Sequence, residues 1–223
     1  MAYQAKYWNG SSWVAVANAS FDTSGLVKTT GNTGTVDLSG ASVVKGAGMD
    51  LIVPTSVTGG TYSASGAISF SAVTSVNVNG CFTSAYENYR IILNVSAPTT
   101  GTSYITGRMR VAGTDASGAN YSLAYSGSST AGFQGNYTTG NTSFSIKGDG
   151  ALETPMGISF DITSPAAVTQ TGILGPTTFG TLAGNNGMIT NLQRHTLATA
   201  YDGISLLCAL SMTGTIRIYG YHN

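Results

Sequence analysis

Residues Tyr86 to Val95, which read YENYRIILNV, decide the fold class of this chain. Successive side chains of a β-strand point to opposite faces of its sheet, so alternation of apolar and other residues marks a strand with one buried face. The predicted inward residues are Tyr89, Ile91, Leu93 and Val95, and the predicted outward residues are Arg90, Ile92 and Asn94. This segment therefore predicts a half-buried strand in a layered β protein.

Similar alternation recurs along the chain, with turn residues between the apolar runs. We predict further strands at Ile68–Val78, Tyr104–Val111, Asn120–Tyr125, Ser143–Lys147, Met156–Ile162, Gly187–Leu192, Gly203–Leu210 and Thr215–Tyr221. Within Tyr104–Val111, Val111 is expected to face inward and Arg110 outward. The last two strands are expected to form a hairpin around Thr213-Gly214. Short strands in this number favour an all-β fold, a jelly-roll-like antiparallel sandwich, with a barrel as the second choice.

The composition agrees with strands rather than helices. Charged residues make up 8% of the 223 residues and the formal net charge is +0, whereas an ordinary soluble domain has about 25% charged residues. No Asp, Glu, Lys, Arg or His occurs from Leu51 to Ala85 or from Ala116 to Ile146. Helices display charged residues on their wet face, but strands accept Ser, Thr and Tyr there.

The N-terminal region differs from the rest of the chain. Tyr7-Trp8-Asn9-Gly10-Ser11-Ser12-Trp13 places Asn-Gly between aromatic residues, a pattern that predicts a tight hairpin. Residues 17–48 have few large apolar side chains, so they cannot bury enough surface to form a core and are expected to be an extended arm. We therefore divide the chain into an attachment hairpin and arm, residues 1–60, and a sandwich domain, residues 61–223.

A β protein with so little charge is expected to assemble. Unpaired strand edges pair with other strands, and charge is the usual deterrent. The 30 glycines are about twice the usual share of roughly 7%, and they lower the stability of an isolated subunit. Association would cover edges and compensate for this loss, and an extended arm would become ordered against a sister subunit or a host particle.

Residues for catalysis or cofactor binding form no recognisable pattern, so no catalytic, metal or cofactor residues are predicted and the chain is not expected to be an enzyme. His195 and His222 are the two imidazoles, and His195 is expected to be an ordinary surface histidine. Glu87, Asp149, Glu153 and Asp161 are carboxylates without the spacing that would indicate glycan cleavage. Cys81 and Cys208 lack paired spacing and are expected to be buried free thiols.

Several kinds of partner are disfavoured by the same sequence. The 9 basic residues are scattered and balanced by 9 acidic ones, so no nucleic-acid partner is expected. No apolar run approaches the roughly 20 residues that span a bilayer, and the first residues lack a signal-peptide pattern. We therefore expect neither membrane insertion nor secretion.

Three segments carry a resemblance to a known group of proteins. The aromatic Asn-Gly hairpin at Tyr7, Trp8, Asn9, Gly10 and Trp13 resembles hairpins near the start of bacteriophage tail-fibre and minor tail proteins. Residues Phe82 to Val95 and Gly214 to Tyr221 are similar to the C-terminal β-sandwich modules of such virion proteins. Together the three segments cover about 30 of the 223 residues.

This resemblance implies a structural protein of the virion, assembled in the host cytoplasm. It implies a homotrimer whose N-terminal arm binds other virion proteins and whose C-terminal part points outward, where a host-surface glycan or protein would bind. Two alternatives stay open: a capsid decoration or head-fibre protein, and a glycan-binding or glycan-degrading receptor-binding spike. For a binding module, the expected recognition loops lie between Gly113 and Asn141.

Overall fold

The all-β fold predicted from the sequence is confirmed. The computed structural model describes residues 6–8, 11, 13–15, 28–30, 35–37, 48–98, 104–129, 132–147, 156–180 and 186–221. The chain divides into two compact units, Met1–Gly46 and Ala47–Asn223. No helix in the described part of the chain is long and apolar enough to cross a membrane.

The smaller unit contains two short antiparallel hairpins. Strand β1, Lys6–Trp8, pairs with β2, Trp13–Ala15, and places Trp8 opposite Trp13. The predicted N-terminal hairpin is therefore confirmed, although its turn residues Asn9 and Gly10 lie outside the described residues. Strands β3 and β4 form the second hairpin and span Lys28–Thr30 and Thr35–Asp37.

The larger unit is one antiparallel sheet of 14 strands that folds over on itself. Its strands are β5 Met49–Leu51, β6 Ser56–Thr58, β7 Thr61–Tyr62, β8 Ile68–Asn79, β9 Asn88–Pro98, β10 Ile105–Val111, β11 Thr114–Asp115, β12 Tyr121–Ser129, β13 Gly132–Asn141, β14 Phe144–Lys147, β15 Met156–Thr163, β16 Thr171–Gly180, β17 Asn186–His195 and β18 Gly203–Tyr221. The main path runs β11-β10-β18-β9-β15-β16-β17-β12-β13. Strand β14 pairs with β10, β5 pairs with β18, and β8 pairs with β18, β6 and β7.

The 19-residue strand β18 belongs to both layers of this sandwich. Its first part, Gly203–Cys208, pairs with β10, and its second part, Met212–Gly220, pairs with β9. Strand β8 follows β18 through both parts, and its register shifts between Leu207 and Gly214 of β18. Ala72 of β8, with a φ of 50°, lies at this shift, in the left-handed region that non-glycine residues rarely adopt. The chain thus bends from one layer into the other.

The hairpin predicted around Thr213-Gly214 is wrong, because both residues lie inside β18. A Cβ atom on Gly214 would lie 2.0 Å from the Asn94 carbonyl oxygen. The register between β18 and β9 also shifts between Thr213 and Gly214. Glycine is therefore needed here for a close approach of two strands at an irregularity, not for a turn.

The core confirms the alternation predicted for the deciding segment. Tyr89, Ile91, Leu93 and Val95 of β9 are all fully buried, and they pack with inward residues of both layers. The Tyr89 hydroxyl donates to the Thr83 carbonyl, 2.8 Å away. Six further predicted strands are also confirmed. Those predicted to begin near residues 68, 104, 120, 143, 156 and 187 are β8, β10, β12, β14, β15 and β17, respectively.

Two residues of β10 are placed differently from the prediction. Val111, expected inward, is 40% exposed, and Arg110, expected outward, is 6% exposed. Strand β10 ends at Val111, beyond the apolar core. Arg110 lies on the other face of the strand, where the polar side chains of neighbouring strands cover it. Alternation fixes the face of a side chain but not what covers that face.

The sandwich starts earlier in the sequence than the division at residue 60. Met49–Leu51 pairs with the end of β18, and Ser56–Thr58 pairs with β8. The Tyr86 hydroxyl donates to Asp50, 2.6 Å away, and this hydrogen bond raises the pKa of Tyr86 to about 12. These two strands have only 3 residues each, which is too short for alternation to be recognised. Their membership of the sheet therefore depends on pairing with distant strands.

Candidate functional site

The larger layer of the sandwich consists of β9, β15, β16, β17, β12, β13 and the second part of β18, and the smaller layer contains β10, β11, β14 and the first part of β18. The outer face of the larger layer carries one row of side chains across seven strands. Residues directly opposite each other in a sheet share a face. The register places in this row Tyr219, Arg90, Asp161, Leu174, Leu192, Ala124 and Tyr137. The row divides into a polar half on β18, β9 and β15 and an apolar half on β16, β17, β12 and β13.

The polar half is organised around the Asp161 carboxylate. Arg90 donates two hydrogen bonds to it, from Nε at 2.9 Å and from Nη2 at 2.8 Å, and the Tyr221 hydroxyl donates a third at 2.8 Å. The Arg90 guanidinium also lies 5.9 Å from the centre of the Tyr221 ring. Partial burial raises the pKa of Asp161, but the hydrogen bonds from Arg90 and Tyr221 outweigh it and hold this pKa below its ordinary value.

The apolar half exposes large side chains that face solvent. Leu174 is 41% exposed, Leu192 51%, Tyr137 65% and Phe133 78%. We call these four residues the outer apolar patch. Phe133 belongs to the same face as Tyr137 because the two residues are four positions apart along β13. A contiguous apolar patch on a sheet face is typical of an interaction surface rather than of a wet face.

The patch ends at a free strand edge. Strand β13 pairs with β12 on one side, and no described strand pairs with its other side. The Tyr137 N–H donates to the Asn136 Oδ1 atom, 2.8 Å away. On the other side of β12, the Thr196 N–H donates to the Asn120 carbonyl, and the register from this bond directs the backbone groups of Ala124 to β17. Tyr137, which lies opposite Ala124, therefore directs its own backbone groups away from β12. Because N–H and C=O groups alternate between the two edges of a strand, the backbone groups of Phe133, Gly135 and Tyr137 point to the free side.

A second edge, that of β14, is covered by a side chain. The Gln193 Oε1 atom accepts from the Ser145 N–H at 2.6 Å, and its Nε2 group donates to the Ser145 carbonyl at 2.7 Å. This amide reproduces the two hydrogen bonds that a neighbouring strand would make. Gln193 is 1% exposed, so it also ties the two layers together from inside the sandwich.

A buried polar cluster lies on the outer face of the smaller layer, at the turn between β10 and β11. Arg110 donates to Asp115, to the Gly113 carbonyl, to Ser205 Oγ at 2.7 Å and to Asn79 Oδ1 at 3.0 Å. The Ser205 hydroxyl lies 2.6 Å from the Asp115 carboxylate. Each charge is paired, and the cluster fixes the turn against β8 and β18. It stabilises this end of the sandwich.

His195 is buried, so the expectation that it lies on the surface is wrong. Its Nδ1 atom lies 2.9 Å from the Tyr201 hydroxyl, and its ring packs edge-on against Tyr121 with 4.5 Å between ring centres. Removal from water lowers the pKa of His195 below its ordinary value. The residue follows the inward face of β17, where Gln193 and Asn191 are buried as well.

The residues predicted for attachment belong to the smaller unit. Tyr7, Trp8 and Trp13 lie in β1 and β2, and Asn9 and Gly10 lie outside the described residues. Their role in attachment stays a prediction. The range Gly113–Asn141, expected to contain recognition loops, consists mainly of strands β12 and β13. The sequence missed β13 because Gly132–Asn141 shows little apolar alternation.

The remaining chemically active side chains include two cysteines and several carboxylates. Cys81 and Cys208 are both buried and form no disulfide, as predicted, and burial raises the pKa of the Cys81 thiol. Asp149 and Glu153 lie outside the described residues. Within the ranges that the structure describes, no three His, Cys, Asp or Glu side chains form a group that could hold a metal ion.

Comparison with protein-family models, with curated proteins and with solved structures gave no match to this chain. The candidate site consequently depends on geometry alone. Its distinguishing features are the outer apolar patch and the free edge of β13.

Proposed function

We propose that this chain is a structural subunit of a bacteriophage particle, most simply a homotrimeric tail-fibre or minor tail component, and that its work is assembly. The observation that carries the proposal is the outer apolar patch beside an unpaired strand edge. A subunit with both features gains stability from association, since apolar surface and unpaired backbone groups are then removed from water.

The low charge supports the same proposal. With 8% charged residues, the outer face has little electrostatic cost to overcome when another subunit covers it. The outer apolar patch itself contains no charged residue, and the charges at the centre of the polar half, Arg90 and Asp161, form an ion pair. Association therefore need not bury an unpaired charge.

The resemblance to tail-fibre and minor tail proteins is the reason for proposing a phage particle as the assembly. Two of the segments that carry it, Phe82–Val95 and Gly214–Tyr221, contribute adjacent strands, because β9 pairs with β18 from Tyr89 onward. The third is the β1–β2 hairpin of the smaller unit. Under this proposal the smaller unit contacts other virion proteins and the sandwich forms the outward part.

Antibody labelling tests the proposal on purified particles of the phage that encodes the chain. In electron micrographs we expect label on the tail or its fibres. Label on the head would instead identify the chain as a capsid decoration or head-fibre protein. Particles that carry no label, prepared so that a known virion protein is labelled in parallel, would overturn the structural function itself.

A further inference from the structure

We propose that β13 pairs edge to edge with β13 of a second copy of this chain, antiparallel and about a two-fold axis. The inference concerns the contact between copies and does not rest on the proposed place in a phage particle. It would hold for any assembly in which the chain takes part.

The first argument is the lack of protection along this edge. Strand β13 is 10 residues long and reads GFQGNYTTGN, with no charged residue and no proline. Natural edge strands are usually blunted by charge, proline, bulges or shortness. The register irregularity with β12 lies between Tyr121 and Leu123, so Gly132–Thr138 is regular. Another strand could therefore pair with this stretch without meeting a charge, a proline or a bulge.

The second argument identifies the occupant. Most other strands at the borders of the described sheet are much shorter: β5 and β6 have 3 residues each, β7 and β11 have 2 each, and β14 has 4. Strand β8 is longer, but β6 and β7 pair with its two ends, and Ala72, with a φ of 50°, interrupts the stretch between them. The edge of β14 is also covered by Gln193. Among these edges, full pairing along β13 is open to another β13 alone. A contact between identical surfaces is two-fold symmetric.

The third argument fixes the register. The Tyr137 N–H points away from β12, so the N–H and C=O groups of Phe133, Gly135 and Tyr137 face the second copy. An antiparallel pair centred on Gly135 uses all three residues of each copy. It places Phe133 opposite Tyr137 of the second copy on the outer face, where aromatic pairs add to strand pairing. Tyr137 then exchanges its hydrogen bond to Asn136 for one to the second copy.

The fourth argument concerns the outer apolar patch. When two sheets join at an edge, their outer faces become one surface, so the two patches meet at the two-fold axis. Phe133 and Tyr137, 78% and 65% exposed in one chain, would then cover each other across the axis. No charge of either copy lies in this stretch of β13, so like-charge repulsion does not oppose the contact.

Light scattering on the 223-residue protein tests the contact, because loss of the pairing should halve the measured mass. If copies also form trimers, the pairing joins two trimers, and its loss converts six copies into three. If they do not, its loss converts two copies into one. The expected change is a factor of two in either case, and the count of copies separately reports whether the proposed trimer forms.

The double variant Phe133→Lys with Tyr137→Lys places like charges opposite each other and should weaken self-association by about tenfold or more. The matched variant Phe133→Lys with Tyr137→Glu places opposite charges across the axis in the proposed register and should retain the mass of the native protein. Val168→Lys, at a side chain that is also 78% exposed but lies outside β13, is the control and should change nothing.

A cross-link reports the register directly and does not depend on charge. A cysteine at Gly135 has only ordinary contacts in the single chain, with the nearest atoms 3.5 Å from its Cβ. Gly135→Cys should therefore form an intermolecular disulfide with oxidised glutathione, because opposed residues of a hydrogen-bonded pair have Cα atoms about 5.5 Å apart. Val168→Cys should not. The pairing is overturned if the two-lysine variant has the same mass as the native protein. It is also overturned if Gly135→Cys forms no intermolecular cross-link.

Discussion

His195 shows at the scale of a single residue how burial changes chemistry. It is enclosed by Tyr121 and Tyr201, and its side chain is 0% exposed. A neutral imidazole tolerates this environment because the Tyr201 hydroxyl lies within hydrogen-bonding distance. The charged form would lose its hydration without gaining a carboxylate partner. The stability of the fold is therefore coupled to the protonation of this residue.

We predict that the free energy of unfolding falls as the pH is lowered below about 6.5, the ordinary pKa of histidine. The pKa of His195 is lower in the folded chain, so the unfolded chain binds the proton first and is stabilised by it. The contribution is fully retained above this range and declines by at most about 1.4 kcal/mol per pH unit towards the folded-state pKa. Urea unfolding at about pH 7.5 and about pH 5 measures the decline.

The His195→Gln variant is expected to be less stable but to lose most of this pH dependence. His222→Gln, near the end of the chain, serves as the control and should keep it. The lowered pKa of Asp161 acts in a separate, more acidic range, because its contribution is present above its ordinary value and is lost as the pH falls through its folded-state pKa. An unchanged slope in His195→Gln would contradict the assignment to His195.

At the scale of elements, β18 organises the fold. One strand of 19 residues serves both layers, and its change of partner from β10 to β9 lies between Cys208 and Met212. Local sequence suggested two strands and a turn because Thr213-Gly214 has turn chemistry. In the structure, Gly214 pairs with β9 and lies inside one continuous strand. The contact that requires glycine here is with Asn94, a residue far away in the sequence.

The close approach at Gly214 predicts a large cost for a methyl group there. Gly214→Ala places a Cβ 2.0 Å from the Asn94 backbone oxygen, and we expect it to lower the free energy of unfolding by about 3 kcal/mol. Gly157→Ala is the matched control, since its Cβ would lie 3.3 Å from the flexible Asn94 side chain and should cost less than about 0.5 kcal/mol. Chemical denaturation compares the two; equal losses would argue against a closely paired strand at Gly214.

At the scale of the whole molecule, the chain separates into two compact units between Gly46 and Ala47. The segment that follows this point contributes β5 and β6 to the sandwich, and its Ile52 and Val57 pack against the core. Residues 47–60 therefore belong energetically to the larger unit. The boundary predicted at residue 60 thus moves to between Gly46 and Ala47.

Two truncations test where the sandwich begins. Deletion of residues 1–46 should leave the unfolding transition of the sandwich unchanged, because both edge strands remain. Deletion of residues 1–60 removes β5, β6 and the apolar contacts of Ile52 and Val57, and should cost about 2–5 kcal/mol. Thermal unfolding followed by circular dichroism measures both. Equal transitions in the two truncated proteins would show that the strands of residues 49–58 contribute little.

The sequence by itself determined the strand composition, the antiparallel character and most inward residues. Alternation along β9, for example, depends only on the geometry of one strand, so Tyr89 to Val95 could be assigned without knowledge of the neighbours. The N-terminal hairpin is likewise predicted from a local pattern, and β1 and β2 pair as expected.

The tertiary structure alone decided which strands pair and which edges stay open. The continuity of β18, the burial of His195 and the place of β13 at the border of the sheet all depend on partners distant in sequence. A glycine-rich strand such as β13 carries almost no local signal, yet its position at the end of the sheet leaves one of its edges without a described neighbouring strand, beside an apolar patch. The physical reason is that strand pairing is a non-local interaction, so the surface proposed for assembly exists only once the sheet has formed.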